Sequence, residues 1–206
     1  MSDHYFSPEP SKPEKRREHS FLIRGTRFSV VTAGGVFSHD RIDKGTQVLL
    51  KHVAEPPKEG LLVDVGCGWG PIALALATAS PEATVLAVDV NERARELTAL
   101  NAERAGLTNV VVTDPDTGLA MAAEGGVAAI WSNPPVRIGK KPLQKLLLDW
   151  FEHLTGTAEI VVSKNLGADS LAAWLRSESY MVERVGSANG FRVLEVSGPR
   201  QRSLQD

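Results

Sequence analysis

The sequence predicts an α/β protein: one seven-stranded, mostly parallel sheet with helices on both faces, preceded by a β-hairpin and a short helix. Three observations carry this. From residue 61 onward, short apolar runs rich in Val, Ile and Leu alternate with helical segments, which is the pattern of βαβ units. The first of these runs ends in a glycine-rich turn, Asp64-Val-Gly-Cys-Gly-Trp-Gly70, and the next segment opens with Pro71, a residue suited to the first turn of a helix. The chain then closes with two strand-like runs and a short connection, which requires one antiparallel edge.

Taken in order, residues 1–19 are polar and proline-bearing and read as a solvated arm. Phe21–Arg24 and Arg27–Thr32 flank Gly25-Thr26, a hairpin signal. The loop AGGVFSHD follows, and IDKGTQVLLKHV reads as a short helix with Val48, Leu49 and Val53 on one face. Residues 20–58 therefore form a hairpin and helix packed on a main domain, 59–198. In that domain the strands are LLVDV, TVLAVDV, NVVVT, VAAIWS, AEIVVSK, MVERVG and FRVLEVS. Helices are expected from Pro71, over Asn91–Ala105 with Asn91 as N-cap, over Leu143–Leu154 and over Ala168–Ser177. Residues 199–206 read as a frayed tail.

Composition narrows the function. The 206 residues carry 23 Lys+Arg and 25 Asp+Glu, a formal charge of −2, which excludes a generally basic nucleic-acid coat but leaves room for a local basic rim. One cysteine, Cys67, permits no internal disulfide and suits a reducing compartment. The apolar runs are too short to span a membrane, and MSDHYFSPEP lacks the apolar centre of a secretory segment. A cytoplasmic protein is expected. His4, His19, His39, His52 and His153 form no close ligand pair with one another or with Cys67, so no metal is expected.

The glycine turn is the first chemical signal. Gly66, Gly68 and Gly70 let a ligand approach the backbone, and Cys67 reads as a small filler among them. Asp89 ends the next strand, where a carboxylate can accept hydrogen bonds from both hydroxyls of a ribose, with Val90 and Asn91 beside it. An adenosine-bearing cofactor follows. Asp64, just before the first glycine, would repel a pyrophosphate but suits a cationic sulfonium and ammonium, so S-adenosylmethionine is favoured over a dinucleotide. No G-x-x-x-x-G-K-[ST] phosphate loop is present. Asp114, at the end of the third strand, can either reach the adenine amine or cap a helix or turn in DPDTG.

The fourth strand ends in Ser132-Asn133-Pro134-Pro135, on the edge where an open α/β sheet binds ligands. The Asn133 side-chain oxygen and the Pro134 carbonyl can both accept from one exocyclic NH₂. The two prolines stiffen the turn. Such a turn would hold an amine with its lone pair toward an activated methyl group, a task of positioning more than of acid–base chemistry.

These residues resemble those of the class I S-adenosylmethionine-dependent methyltransferases: DVGCGWG the cofactor loop, Asp89 the ribose acid, SNPP the amino-methyltransferase motif. More narrowly, HYFS, GVFS, IDKGTQVLL, NPPVRIGK, VVSKNLGA and GFRVLE resemble the small-domain methyltransferases related to ribosomal RNA small subunit methyltransferase C. That resemblance implies methylation of a guanine N2 amine in 16S rRNA, with ribosomal RNA or the small ribosomal subunit as partner. Two departures stand out. Val136 follows the prolines where many amino-methyltransferases carry an aromatic residue, so stacking on a base falls to Phe37, Trp69 or Trp131, or to an aliphatic contact. The namesake also has two tandem domains, so the partner's place is expected to fall either to a second copy of this chain, in a homodimer through the hairpin, or to the N-terminal hairpin itself.

Arg137, Lys140, Lys141, Lys145 and Lys164 follow Asn133 on the same edge and read as a phosphate-contacting rim or as a solvated helix start. Lys15, Arg16, Arg17, Arg24 and Arg27 form a second basic group, able to join the first if the hairpin folds over the cleft. Beside guanine-N2 methylation stand methylation of a protein glutamine or of an adenine N6 amine, which also present an NH₂, and a non-catalytic RNA-binding assembly factor.

Overall fold

A computed structural model of the chain describes residues 16–38 and 40–198. Most of the expected arm, His39 and the tail 199–206 lie outside the described residues. The described part of the arm, Arg16–His19, is strand: β1 (Arg16–Ile23) pairs antiparallel with β2 (Thr26–Ala33) from Arg16↔Ala33 to Ile23↔Thr26. This polar stretch gains an inner face because His19 stacks on Phe21 and Phe21 on Trp69, with ring centroids 5.4 and 5.3 Å apart. The turn is Arg24-Gly25, one residue earlier than the sequence suggests. Its φ values of 43° and 85° are both positive, as a two-residue turn matching strand twist requires.

Helix α1 (Lys44–His52) follows, capped by Asp43. The main domain is β3 (Leu61–Val65), α2 (Pro71–Ala79), β4 (Thr84–Val88), α3 (Glu92–Arg104), β5 (Val110–Thr113), α4 (Pro115–Gly125), β6 (Val127–Ser132), α5 (Lys140–Phe151), β7 (Leu154–Ser163), α6 (Ala168–Ser177), β8 (Met181–Ala188) and β9 (Phe191–Ser197). The sheet has seven strands in the order β5-β4-β3-β6-β7-β9-β8. Only β9 runs antiparallel to the β3–β7 group, and it lies between β7 and β8 rather than at the edge. The hairpin Asn189-Gly190 inserts it there.

Helix α4 carries no readable apolar stripe. Its buried residues are Gly118 and Ala122, so periodicity does not reveal it. Helix α5 starts at Lys140, three residues before the first buried leucine, because its opening turn is solvent-facing.

Two apolar layers cover the sheet. One packs the hairpin, α1, α2 and α3; the other packs α4, α5 and α6. The hairpin is bolted to the first layer by the buried Asn101 of α3. Its amide meets Val31 N–H at 2.7 Å, Val31 C=O at 2.9 Å and Trp69 C=O at 2.8 Å. At the other end Arg24 donates to the carbonyls of Leu50, in the last turn of α1, and of Val53, just beyond it, pairs with Glu55, and lies over the Trp131 ring. Arg24 therefore clamps the hairpin turn to α1.

On β7, Glu159 is buried opposite Trp131 on one side and Glu195 on the other. Burial, with the neighbouring Glu195 charge, pushes its carboxyl up to about 7.

Two outcomes follow from this packing. Asn101→Ala, which strands three buried backbone groups, is expected to lower stability by about 2–4 kcal/mol in urea unfolding. Glu159 holds its proton more tightly folded than unfolded, so its contribution is complete below 4.5 and is lost as pH rises to about 7. Glu159→Gln should remove that loss. The variant's stability relative to the parent should rise by about 1–3 kcal/mol between pH 4.5 and pH 8.

Candidate functional site

Parallel pairing brings the C-terminal ends of β3, β4 and β6 to one edge, where a cleft of about 420 Å³ opens. That volume is in the range of small-molecule sites. Ser132 fastens the loops together: its buried hydroxyl donates to the Val65 carbonyl at 2.6 Å, joining the end of β6 to the start of the glycine turn.

The glycine turn folds back on β4. The N–H groups of Gly66 and Cys67 both donate to Val88 C=O, at 2.8 and 3.0 Å. Gly68 takes φ +60°, a conformation that strains side chains, and donates to Asp89 Oδ2 at 3.0 Å. Asp89 Oδ1 accepts from Asn91 N–H at 2.9 Å, so the carboxylate is held from both sides. Burial raises its proton affinity above the ordinary carboxylate value, while the Asn91 and Gly68 N–H groups and Arg95 pull the other way. Gly66, Gly68, Asp89, Val90 and Asn91 all line the cleft, and Val90 is 41% exposed, an apolar surface for an adenine ring.

Asp64 does not line the cleft. It is fully buried behind the turn, where Oδ2 accepts from Ala73 N–H at 2.9 Å and burial pushes its proton affinity well above the usual range. Its carboxyl braces α2 against β3, and the acids that face the cleft are Asp43 and Asp89. Cys67 is buried beside Thr98, and burial with the nearby Asp89 and Asp64 raises its thiol well above the normal value. Gly70, at φ +96°, caps α2 away from the cleft. Asp114 takes the capping option: it accepts from the N–H groups of Asp116 and Thr117, both at 3.1 Å, and those bonds with the Thr117 hydroxyl lower its proton affinity. Its neighbour Pro115 is the residue that lines the cleft.

On the acceptor side, Asn133, Pro134, Pro135, Val136 and Arg137 line the same cleft. The Asn133 NH₂ donates to Asp43 Oδ2 at 2.9 Å and to Thr46 Oγ1 at 3.1 Å. The amide oxygen is thereby left for a ligand. Pro134 C=O already accepts from Val136 N–H at 2.8 Å, leaving one lone pair. Asp43 and Thr46 went unread in the sequence. The D-x-G-T stretch signals a helix cap, but nothing in it points to a residue ninety positions away.

The roof is the loop after β2. Gly34 C=O accepts from Arg93, Gly35 C=O from Asn91, and Ser38 C=O from the Trp69 indole. This holds Phe37 at the cleft mouth, 43% exposed. Trp69 and Trp131 are each 1% exposed and cannot stack on an incoming base. Phe191 and the exposed Leu166 complete the apolar lining. Of the basic residues, Arg137 lines the cleft; Lys140, Lys141 and Lys164 are exposed on the same side of the fold, and Lys145 is paired with Asp149 on α5. Arg16 pairs with Glu96. Among the described residues no group of His, Cys, Asp and Glu could hold a metal, and no helix is long and apolar enough to cross a membrane.

A sheet of this order, with a glycine turn and a clamped acid at its strand ends, is that of the S-adenosylmethionine-dependent methyltransferases. The cradle fits that cofactor: Asp89 offers a fixed acceptor pair for a ribose, Val90 an apolar floor, and the facing acids suit a cation. The methyltransferase small domain family matches residues 27–195, and the chain belongs to it. It is 37% identical over 198 residues to the uncharacterized protein YbxB of Bacillus subtilis (strain 168), covering 95% of this chain and 98% of that protein. It is 29% identical over 194 residues to ribosomal RNA small subunit methyltransferase C of Pseudomonas syringae pv. syringae (strain B728a), covering 89% of this chain and 55% of that protein. The chain thus spans nearly all of the first relative and about half of the second. In fold it is similar to the T. thermophilus 16S rRNA N2 methyltransferase in complex with AdoMet and guanosine, with a TM-score of 0.76 and 22% identity over 90% of this chain and 51% of that one.

Asp89→Ala removes the carboxylate that lines the cleft and braces Gly68. Calorimetry is expected to show S-adenosylmethionine binding weakened by about 1–3 kcal/mol. In the parent, affinity should fall on acidification, and begin to do so at a higher pH than a free aspartate would set, because burial favours the proton on Asp89 and a protonated carboxyl accepts hydrogen bonds from a ligand less well.

Proposed function

We propose that this protein methylates an exocyclic amine, the N2 amine of a guanine in 16S rRNA. The observation that carries the reading is the Asn133 amide, whose two N–H bonds are occupied and whose oxygen is left to accept from a substrate NH₂. When bound, S-adenosylmethionine supplies a methyl group activated on a cationic sulfur. The chain's own part is positional. Asn133 Oδ1 and the remaining lone pair of Pro134 C=O accept the two N–H bonds of the amine, leaving its nitrogen lone pair directed along the cleft. Phe37, at the mouth, supplies the stacking face that Val136 lacks, with Leu166 as an aliphatic neighbour. Arg137, Lys140 and Lys164 contact phosphates flanking the target. The names of the relatives of methyltransferase C type, and the basic rim of Arg137, Lys140 and Lys164 beside the turn, support RNA over a protein amide.

Asn133→Ala should leave S-adenosylmethionine affinity within about twofold and lower the transfer rate by about 10²-fold or more, as lost orientation does. Phe37→Ala should raise KM for RNA. Arg137→Ala should weaken RNA binding and reduce its salt slope by about one. Nucleoside mass spectrometry of rRNA from a deletion strain should show loss of N2-methylguanosine. An unchanged level, with methyl lost from a protein glutamine or from N6-methyladenosine, overturns the guanine assignment.

A further inference from the structure

We infer that Asp43 is a positioning residue that decides which end of the Asn133 amide faces the acceptor. The inference rests on the reading of Asn133 as the amine-holding group. An amide side chain presents an acceptor at one end and two donors at the other, and only the acceptor end can hold an NH₂. Within the turn itself, Ser132 and the prolines fix the backbone but not the rotation of the Asn133 side chain. The selection comes from α1. Asp43 Oδ2 lies 2.9 Å from Asn133 Nδ2, and a carboxylate accepts only. With the amide reversed, two acceptor oxygens would face each other in a partly buried site. Thr46 Oγ1, 3.1 Å away, takes the second N–H.

The carboxylate is itself immobilised. The same Oδ2 accepts from Gly45 N–H at 2.7 Å and from Thr46 N–H at 3.4 Å, as the cap of α1. Gly45 is required for the approach: a Cβ at that position would lie 2.9 Å from Asp43 Oδ2 and 3.2 Å from Asn133 Nδ2. One oxygen thus ends the helix and orients the amide. Its charge also polarises the amide, making Asn133 Oδ1 a stronger acceptor. The hairpin-and-helix extension thereby contributes to the site, and does more than support it.

The test uses the full chain. Asp43→Ser keeps a capping oxygen for α1 but is too short to hold Asn133, whereas Asp43→Asn keeps an oxygen able to serve both. The first readout is solvent exchange of the Asn133 side-chain NH₂ by ¹⁵N NMR, its signal identified by its loss in Asn133→Ala. In the parent this group should exchange at least about tenfold more slowly than exposed Asn amides. Asp43→Ser should abolish the protection and Asp43→Asn should retain it. The second readout is methyl transfer to small-subunit rRNA. Asp43→Ser should lower kcat by about 10–100-fold, and Asp43→Asn should recover to within about tenfold of the parent. Unchanged exchange in Asp43→Ser, or a parental kcat despite lost protection, overturns the inference. If Asp43→Ser does not fold, Thr46→Val carries the test. Exchange about threefold faster or more supports the shared clamp, and unchanged exchange overturns it. If the parent transfers no methyl to RNA, the substrate reading fails while the exchange measurement still decides the role of Asp43.

Discussion

The bond from the Ser132 hydroxyl to the Val65 carbonyl joins the two halves of the cleft. Parallel pairing of β3 with both β4 and β6 brings their ends to one edge but leaves the loops beyond them free to splay. A short bond in a dry interior removes that freedom, because breaking it would strand two polar groups with no water to replace them. From this junction the glycine turn runs one way, returning its N–H groups to Val88, and the Asn133 turn runs the other. The glycine turn and the Asn133 turn are therefore set relative to each other by the sheet.

The segment ahead of the sheet completes what the sheet begins. Three loop carbonyls after β2 are tied to Arg93, Asn91 and Trp69, which keeps Phe37 at the mouth of the cleft. Asn101 fastens β2 itself, and α1 presents Asp43 and Thr46 to Asn133. On the reading proposed above, orientation is the costly part of methyl transfer to a neutral amine, and the bonds that hold Asn133 would meet that cost in advance.

The charges sort themselves by depth. Burial drives Asp64, sealed behind the glycine turn, well toward its neutral form and raises Asp89 too, though N–H donors and Arg95 oppose it there; Asp43 and Asp89 are the acids that reach the cleft. A site framed by accessible acids repels a pyrophosphate and accommodates a cationic cofactor. The sequence argument placed this preference on Asp64, and the fold transfers it to the two acids that face the ligand.

The sequence by itself determined the sheet, the glycine turn, Asp89 as the acid at the end of the second domain strand, and Asn133 at the end of the fourth. Each of these is written locally, in an apolar run, a turn residue or a strand end, so neighbouring residues suffice to read it. Helix α4 escaped because its packed residues are a glycine and an alanine, too small to leave an apolar stripe. The hairpin register moved by one because two adjacent positive φ values, at Arg24 and Gly25, are selected by strand twist and not by composition alone. Only the tertiary structure decided that Asp64 lies behind the cleft, that Asp114 caps a helix, that Trp69 and Trp131 are buried, and that Asp43 grips Asn133. These depend on which side chains meet across dozens of residues, and a carboxylate at a helix cap has the same local sequence whether or not an amide lies within 3 Å of it.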